Sequence, residues 1–418
     1  MQLVEQHRID CHDPHWKVVD EATFASKNLY NAAMYLKRQA YIFEQNRILS
    51  YAALDQLMQP MAAYRALPAK VAQWVLKQVC TAWDSHFAAV KEWESHPEKF
   101  LGHPKLPKYL KKDGRNLLVY TSQAMSRHPK NAGWIIPSGV DIRIPTKIPY
   151  ESIDQVRLVP KSTHYVLEVV YTVEPERLPL NPAWIASIDI GVNNLAAIPA
   201  NKPGFVPLLV NGRPLKSLNQ RYNKQRSKKQ EQLPKETFAS HDMDLLTDHR
   251  TRSIQYYLHM ASRALINLLV GEEISTLVVG KNEFWKQGVR LGKKTNQTFV
   301  SIPHARFIEM LHYKAELVGI QVIEVHENHT SKCSFIDRES IGHHDQYLGK
   351  RLKRGLFRSA NGTLLNADIN GSYTILRRYA PDAFSDGVAS CVLRPQFMPL
   401  PDRHQDKRMQ RVRRKASA

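Results

Sequence analysis

At 418 residues, 43% of them hydrophobic, the chain has material for two or three globular domains, which excludes a wholly disordered protein. Its 59 Lys and Arg against 39 Asp and Glu leave a formal net charge of +20. That excess recurs along the chain and favours a polyphosphate partner, because each neutralised phosphate releases condensed counterions.

Four scattered cysteines (Cys11, Cys80, Cys333 and Cys391) make no disulfide framework. No run of eighteen apolar residues marks a membrane span, so the expectation is a cytoplasmic, nucleoid-associated protein. In chain order, residues 17–97 read as helical. Phe24, Leu29, Ala33, Leu36 and Ala40 form one apolar stripe, and Val71, Val75, Val79, Trp83, Phe87 and Val90 form another. The basic, Pro-containing run "HPKLPKYLKKDGRN" (103–116) cannot be helical throughout. Short alternating runs from 117 to 174 then predict strands, and "EPERLPLNP" (174–182) reads as a linker.

Beyond the linker, "AWIASIDIGV" predicts a strand and "LAAIPANKPGFVPLLVNG" a hairpin turning at "NKPG". Residues 214–270 read as helical and strongly basic in their first half, followed by a buried-type strand, "EISTLVVGKN". A helix runs from Pro303 to a stop at Gly319, "IQVIEVHE" is a fifth strand, and "NGSYTILRRY" opens the last helix. This β-β-β-α-β-α-β-α order is that of a ribonuclease H-like α/β sheet, whose ligand groups gather at the carboxyl ends of the central strands. Asp189 stands near such an end, and Asp368 immediately precedes the last helix, where it could equally be an N-cap. Two acids of this kind, joined by a glutamate, can bridge two Mg²⁺ ions roughly 4 Å apart and drive in-line phosphodiester hydrolysis.

Four stretches together, "SIDIGVNNLAA", "IPHARFIEMLHYKAELVGIQVIEV", "TSKCS" and "NADINGSYTI", resemble the TnpB family of transposon-encoded RNA-guided nucleases, relatives of the type V CRISPR effectors. The resemblance is strongest over residues 183–380. It implies a RuvC-like nuclease domain (183–325 and 366–395) and a β wedge domain (1–16 and 98–180) carrying an inserted helical recognition lobe (17–97). Residues 326–365 would be a degenerate zinc-ribbon-like insert binding target nucleic acid, and 396–418 a basic, disordered tail. The partners implied are a guide RNA from the transposon end and a target double-stranded DNA, cleaved beside a short adjacent motif; the sequence leaves the oligomeric state open, with a monomer favoured. The resemblance also implies two Mg²⁺ ions as cofactors.

The chain departs from that family twice. The family's middle acid ends the fourth strand, where this chain has Gly280. Glu283, Glu309 and Glu327 could replace it; Glu327, just ahead of "TSK", is the first choice and Glu283 the alternative, so that Asp189, Glu327 and Asp368 would be both the catalytic residues and the metal ligands. The ribbon also lacks its cysteine pairs: Cys333, with the adjacent His343 and His344, does not supply four spaced ligands, so no zinc is expected. "GKRLKRGLFR" (349–358) then reads as a basic hairpin on nucleic acid.

Basic residues track phosphates while aromatic faces stack on unpaired bases. The candidates are Lys105, Lys108, Tyr109, Lys111 and Lys112; Arg221, Tyr222, Lys224 and Arg226; Lys350, Arg351, Lys353 and Arg354; and Trp285 beside Lys286. Two other readings stay open: a nuclease-inactive RNA-guided DNA-binding repressor, and a transposase acting on transposon ends without a guide.

Overall fold

The structure is a computed structural model that describes residues 1–44, 47–126, 132–281, 301–385, 387 and 393–400. Glu283, Trp285 and Lys286 lie outside the described residues. The chain divides into two compact units, Met1–Glu174 and Pro175–Ala418, so the run read as a linker coincides with the division. No helix among the described residues is long and apolar enough to cross a membrane.

In the first unit β1 (Gln2–Ile9) is followed by four helices: α1 (Trp16–Phe43), α2 (Tyr51–Met58), α3 (Ala62–Arg65) and α4 (Ala69–Ser95). The strands β2 (Leu118–Thr121), β3 (Trp134–Ile135), β4 (Ile144–Pro145), β5 (Ile153–Pro160) and β6 (Tyr165–Thr172) come after them. An antiparallel sheet in the order β1-β6-β5-β2 joins the two ends of the unit, so the helices are an insertion within one β module. Leu29, Ala33, Val71, Val75, Val79 and Trp83 are buried as their spacing predicts. Phe24 is exposed instead, while Lys27 and Lys37 of the same helix are buried.

The reason is the basic segment, which lies in extended form along α1. Lys27 Nζ donates to Lys112 O (2.8 Å), Arg38 Nη1 to Pro107 O (2.7 Å), and Asn31 exchanges two hydrogen bonds with Leu110. Its last arginine, Arg115, binds both oxygens of Asp20 at 2.8 Å. Helix side chains thus satisfy backbone groups that a sheet or helix would otherwise pair.

The second unit holds β7 (Asn181–Ile190), β8 (Asn194–Ile198), β9 (Leu208–Asn211), α5 (Arg213–Glu231), α6 (His241–Gly271) and β10 (Ile274–Gly280). Then follow α7 (His304–Glu316), β11 (Gln321–Val325), β12 (Lys350–Lys353), β13 (Leu356–Arg358), β14 (Leu364–Asn366), α8 (Ala367–Tyr379) and β15 (Gln396–Phe397). The main sheet runs β11-β10-β7-β8-β9-β15, with β7, β10 and β11 parallel and β8 antiparallel between β7 and β9. This is the α/β class expected.

One boundary needs correction. Gln396 and Phe397, assigned to a disordered tail, pair in parallel with Leu208 and Leu209, and Met398 is buried in the sheet's core. Met398 and the partly buried Leu400 dock the chain there, although its composition beyond them is polar. The insert is no separate body either, since Phe335 stacks on Tyr373 of α8 with ring centroids 4.4 Å apart.

Helices α6 and α7 pack together around a buried cation. Lys314 Nζ donates to His259 O (2.8 Å) and Ser262 Oγ (2.6 Å). Burial, with Arg263 nearby, lowers its ammonium to about 8. A lysine whose pKa is lower in the folded than in the unfolded state costs stability below about pH 8, and the cost fades as pH rises through the unfolded value near 10.4. Lys314→Met should therefore flatten the rise in stability between pH 8 and 10 by up to about 3 kcal/mol. Denaturant unfolding across that range checks it, and equal slopes for the two proteins would refute it.

Candidate active site and nucleic-acid surfaces

The parallel register sets the site. Ile188 pairs with Val279 across β7 and β10, and Gly280 with Val325 across β10 and β11. Asp189, Gly280 and Val325 thus end one row at the carboxyl edge of three strands. Helix α8 crosses this edge very closely. Ser187 Oγ on β7 donates to Ser372 O at 2.6 Å, and a Cβ on Gly371 would come within 2.9 Å of Asp189 Oδ2.

Gly280, the apparent vacancy, is filled from the side. A Cβ there would meet Ile375 Cδ1 at 2.5 Å and Glu327 Oε2 at 3.0 Å. Glu327, two residues past β11, turns back over the strand end and sets its carboxyl where the missing side chain would project. Asp368 reaches the same place from the first turn of α8. It is not the cap: Asn366 Oδ1 accepts from Asp368 N (2.9 Å) and Ile369 N (3.2 Å), which leaves the Asp368 carboxylate free to face the sheet. Glu309, the other candidate, is exposed on α7.

The electrostatics match this convergence. Desolvation first, then the charges of Glu327 and Asp368, raise the Asp189 carboxyl well above its ordinary range, against a smaller opposing effect of Arg351. Burial raises Glu327 to about 7. Asn194 Nδ2 donates to Asp368 Oδ2 (2.8 Å), and Arg351 Nη2 to Asp368 Oδ1 (3.1 Å). Neither Asn194 nor the exposed Arg213, which lines a 490 Å³ cleft with Arg351, Arg354 and Asp368, was singled out from sequence. Asn194's place in "DIGVNN", directly after the acid, was the available signal.

Among the described residues, no His, Cys, Asp and Glu side chains close into a ready-made metal cage. The donor set still suits a hard cation, because magnesium takes one or two carboxylates and keeps waters and substrate phosphates as its other ligands. Crowded carboxylates of this kind are also what a cation relieves.

Comparison with known proteins finds two family models that each match a part of the chain. Residues 168–285 match the OrfB_IS605 family, described as a probable transposase, and residues 304–375 match the Cas12f1-like TNB domain. Each match is a likeness of one segment of the chain, the first to a probable transposase and the second to a Cas12f1-like domain, and together they span less than half of it. The two matches include Asp189 and Gly280 in the first and Glu327, Cys333 and Asp368 in the second. No curated protein matches the chain.

Among solved structures, a Cas12f1–sgRNA–target DNA complex aligns at 14% identity over 86% of this chain and 82% of that one, with a TM-score of 0.54. That likeness is one of fold. A structure of the mini-RNA-guided endonuclease CRISPR-Cas_phi3 aligns at 10% identity over 95% of this chain and 94% of that one, with a TM-score of 0.46.

Elsewhere in the protein the basic candidates are outward-facing. Lys105, Lys108, Lys111, Lys112, Arg221, Lys224, Arg226, Lys350, Arg351, Lys353 and Arg354 are all exposed, the last four on a true hairpin of β12 and β13. Two aromatic candidates are partly committed. Tyr109 carries the Arg38 guanidinium 5.3 Å from its ring centre. Tyr222 packs under Arg250 at 5.0 Å and meets Thr247 Oγ1 through its hydroxyl. Cys333 is buried, its thiol 3.7 Å from Gly342 O.

A further cleft, of 290 Å³, lies in the first unit between α4 and the end of β2. Lys70, Gln73, Trp74, Lys77, Thr121 and Gln123 line it, and Lys77 Nζ sits 4.7 Å from the Trp74 ring centre.

Gly280→Ala and Gly371→Ala should each destabilise the protein by roughly 1–3 kcal/mol, because the added methyl has no space. Gly271→Ala, where nothing lies within 4 Å, serves as the tolerant control. Chemical denaturation of the three variants checks this, and equal midpoints would show that the close approach is not a constraint.

Proposed function

We propose that the protein is an RNA-guided DNA endonuclease that cuts double-stranded DNA by RuvC-type phosphodiester hydrolysis at Asp189, Glu327 and Asp368. The reading rests above all on one observation: a Glu327 oxygen lies within 3.0 Å of where a Gly280 side chain would begin, completing a row of acids at the sheet edge. When bound, magnesium would supply the Lewis acid that polarises the scissile phosphate. The chain's own part is positional. Asp189, on a strand, and Asp368, in a capped helix turn, present oxygens from two rigid elements; Glu327 brings a third. Arg351, Arg354 and Arg213 bring positive charge to the cleft beside Asp368, where a phosphodiester backbone would run.

In this scheme base pairing with the guide reads the target, and the protein reads only a short flanking motif. The cleft lined by Gln73, Trp74 and Lys77 suits that task, since it offers an amide for a base edge and a cation for a phosphate beside an aromatic wall. The Cas12f1 complex named above contains guide RNA and target DNA, which agrees with these partners.

Two sets of variants test the proposal with guide RNA, target DNA and Mg²⁺. Asp189→Ala, Glu327→Gln and Asp368→Asn should each lower cleavage by about a hundredfold or more while target binding persists. Glu283→Gln should cleave normally. Persistent cleavage by Glu327→Gln with loss in Glu283→Gln would move the middle acid to Glu283. Target binding without any cleavage by the unaltered protein would favour the guided repressor instead.

For the flanking motif, Gln73→Ala and Lys77→Ala should weaken cleavage about tenfold and flatten the preference among flanking sequences, with guide RNA binding retained. An unchanged preference would remove this cleft from the recognition of DNA.

A further inference from the structure

Of the three acids, only Glu327 stands on a loop. Asp189 is paired within the sheet opposite Ala197, and Asp368 lies in a helix turn capped by Asn366. Among the described residues the β10–β11 ladder ends with the bond from Lys281 N to Val325 O, two residues short of Glu327. A carboxylate on such a loop would be displaced by backbone motion that a strand forbids, unless something else fixes its two peptide planes.

We propose that Arg378 is the positioning residue for Glu327. From the last turn of α8, its guanidinium donates through Nη1 to His326 O and through Nη2 to Asn328 O, the latter at 2.8 Å. These carbonyls belong to the residues immediately before and after Glu327. The fork of an arginine suits this task, since two donors set at a fixed angle hold two acceptors at a fixed separation. The carbonyl of Glu327 itself accepts from Thr330 N (3.2 Å) and Thr330 Oγ1 (2.8 Å), and Thr330 is buried. Three successive carbonyls are therefore held, two of them from α8.

The same helix carries Asp368 at its start, Gly371 against Asp189 and Ile375 against Gly280. One rigid element thus registers all three acids relative to one another. Arg378 touches no reacting atom in this scheme; it acts through the loop. A basic residue in the last helical turn also favours the helix dipole, and that alternative role makes a different prediction, because lysine would serve it equally well.

The inference rests on Glu327 being the middle acid, and its test separates the two. Arg378→Gln and Arg378→Lys are compared with the unaltered protein by amide hydrogen exchange without metal, and by cleavage across a Mg²⁺ titration with guide and target. Arg378 is only partly buried, and both replacements spare the core. In Arg378→Gln, exchange at Thr330 N–H should quicken, and the Mg²⁺ concentration for half-maximal cleavage should rise about tenfold, with the rate recovering at high Mg²⁺ and target binding unchanged. Arg378→Lys, limited to a point charge without the fork, should be intermediate in both readouts. Unchanged exchange over residues 326–330 in Arg378→Gln overturns the clamp, as does full behaviour of Arg378→Lys. If Glu327→Gln cleaves normally, the assignment of the acid fails, and the exchange readout alone still decides whether Arg378 holds the loop.

Discussion

The close approach of α8 to the carboxyl edge of β7 and β10 is the contact on which the second unit depends. It requires a glycine on the helix facing Asp189 and a glycine on the strand facing Ile375, and the bond from Ser187 Oγ to Ser372 O fixes the crossing. Bulkier residues at either point would lift the helix and separate Asp368 from the sheet. The approach has an electrostatic cost, because it strips water from Asp189 and gathers like charges around it. Partial compensation comes from donors outside the helix: Asn194 in the turn after β7, and Arg351 on the β12–β13 hairpin. Both act on Asp368. Asp189 is left desolvated beside two other carboxylates, with only a smaller opposing effect from Arg351, which is the condition a bound cation would correct.

Much of this was legible in the sequence because local pattern and tertiary role coincide. The alternation in "AWIASIDIGV" and the apolar run "ISTLVV" give strands, since a buried parallel sheet needs continuous apolar residues on both faces. Asp189 could be placed from this alone. Glu327 could be placed once β11 was taken to lie beside β10, because strand order fixes which loop exits near which edge. What the pattern missed depended on competition or on distant partners. Asp368, named as a site acid, cannot be told from an N-cap until Asn366, two residues earlier, is seen to take both amides. Phe24 looked like core because helical spacing cannot reveal that Lys27, Asn31 and Arg38 are occupied by the carbonyls of a segment some eighty residues away. Gln396 and Phe397 looked like tail because two residues carry no periodicity, yet β9 offers an open edge to pair with.

The insert shows the same limit from the other side. A lone cysteine after "TSK" suggested a lost ribbon, and the segment around it does pack as protein core. Asn370 of α8 donates to Cys333 O (2.8 Å) and accepts from Phe335 N (3.0 Å), while Phe335 stacks on Tyr373. Packing and helix–loop hydrogen bonds therefore supply an anchorage of the kind that a zinc ion gives elsewhere. The basic hairpin that follows is tethered at its base, and Arg351 reaches Asp368 from it.

Moving an acid from a strand to a neighbouring loop exchanges one source of order for another. A strand-borne glutamate inherits its position from the ladder, whose hydrogen bonds on both sides resist displacement. A loop-borne glutamate has a longer reach and can occupy the space above a glycine, but its backbone must be held by side chains. Here those side chains come largely from α8, the helix that already sets the other two acids: Arg378 spans the carbonyls on either side of Glu327, and Ile375 closes the wall beside its carboxyl. Gly280 and Arg378 are then two halves of one adjustment, the first making room for the relocated carboxylate and the second keeping it there. Neither residue is chemically reactive: Gly280 leaves room for both Ile375 and the Glu327 carboxyl, and in the proposed scheme Arg378 holds the loop that carries Glu327.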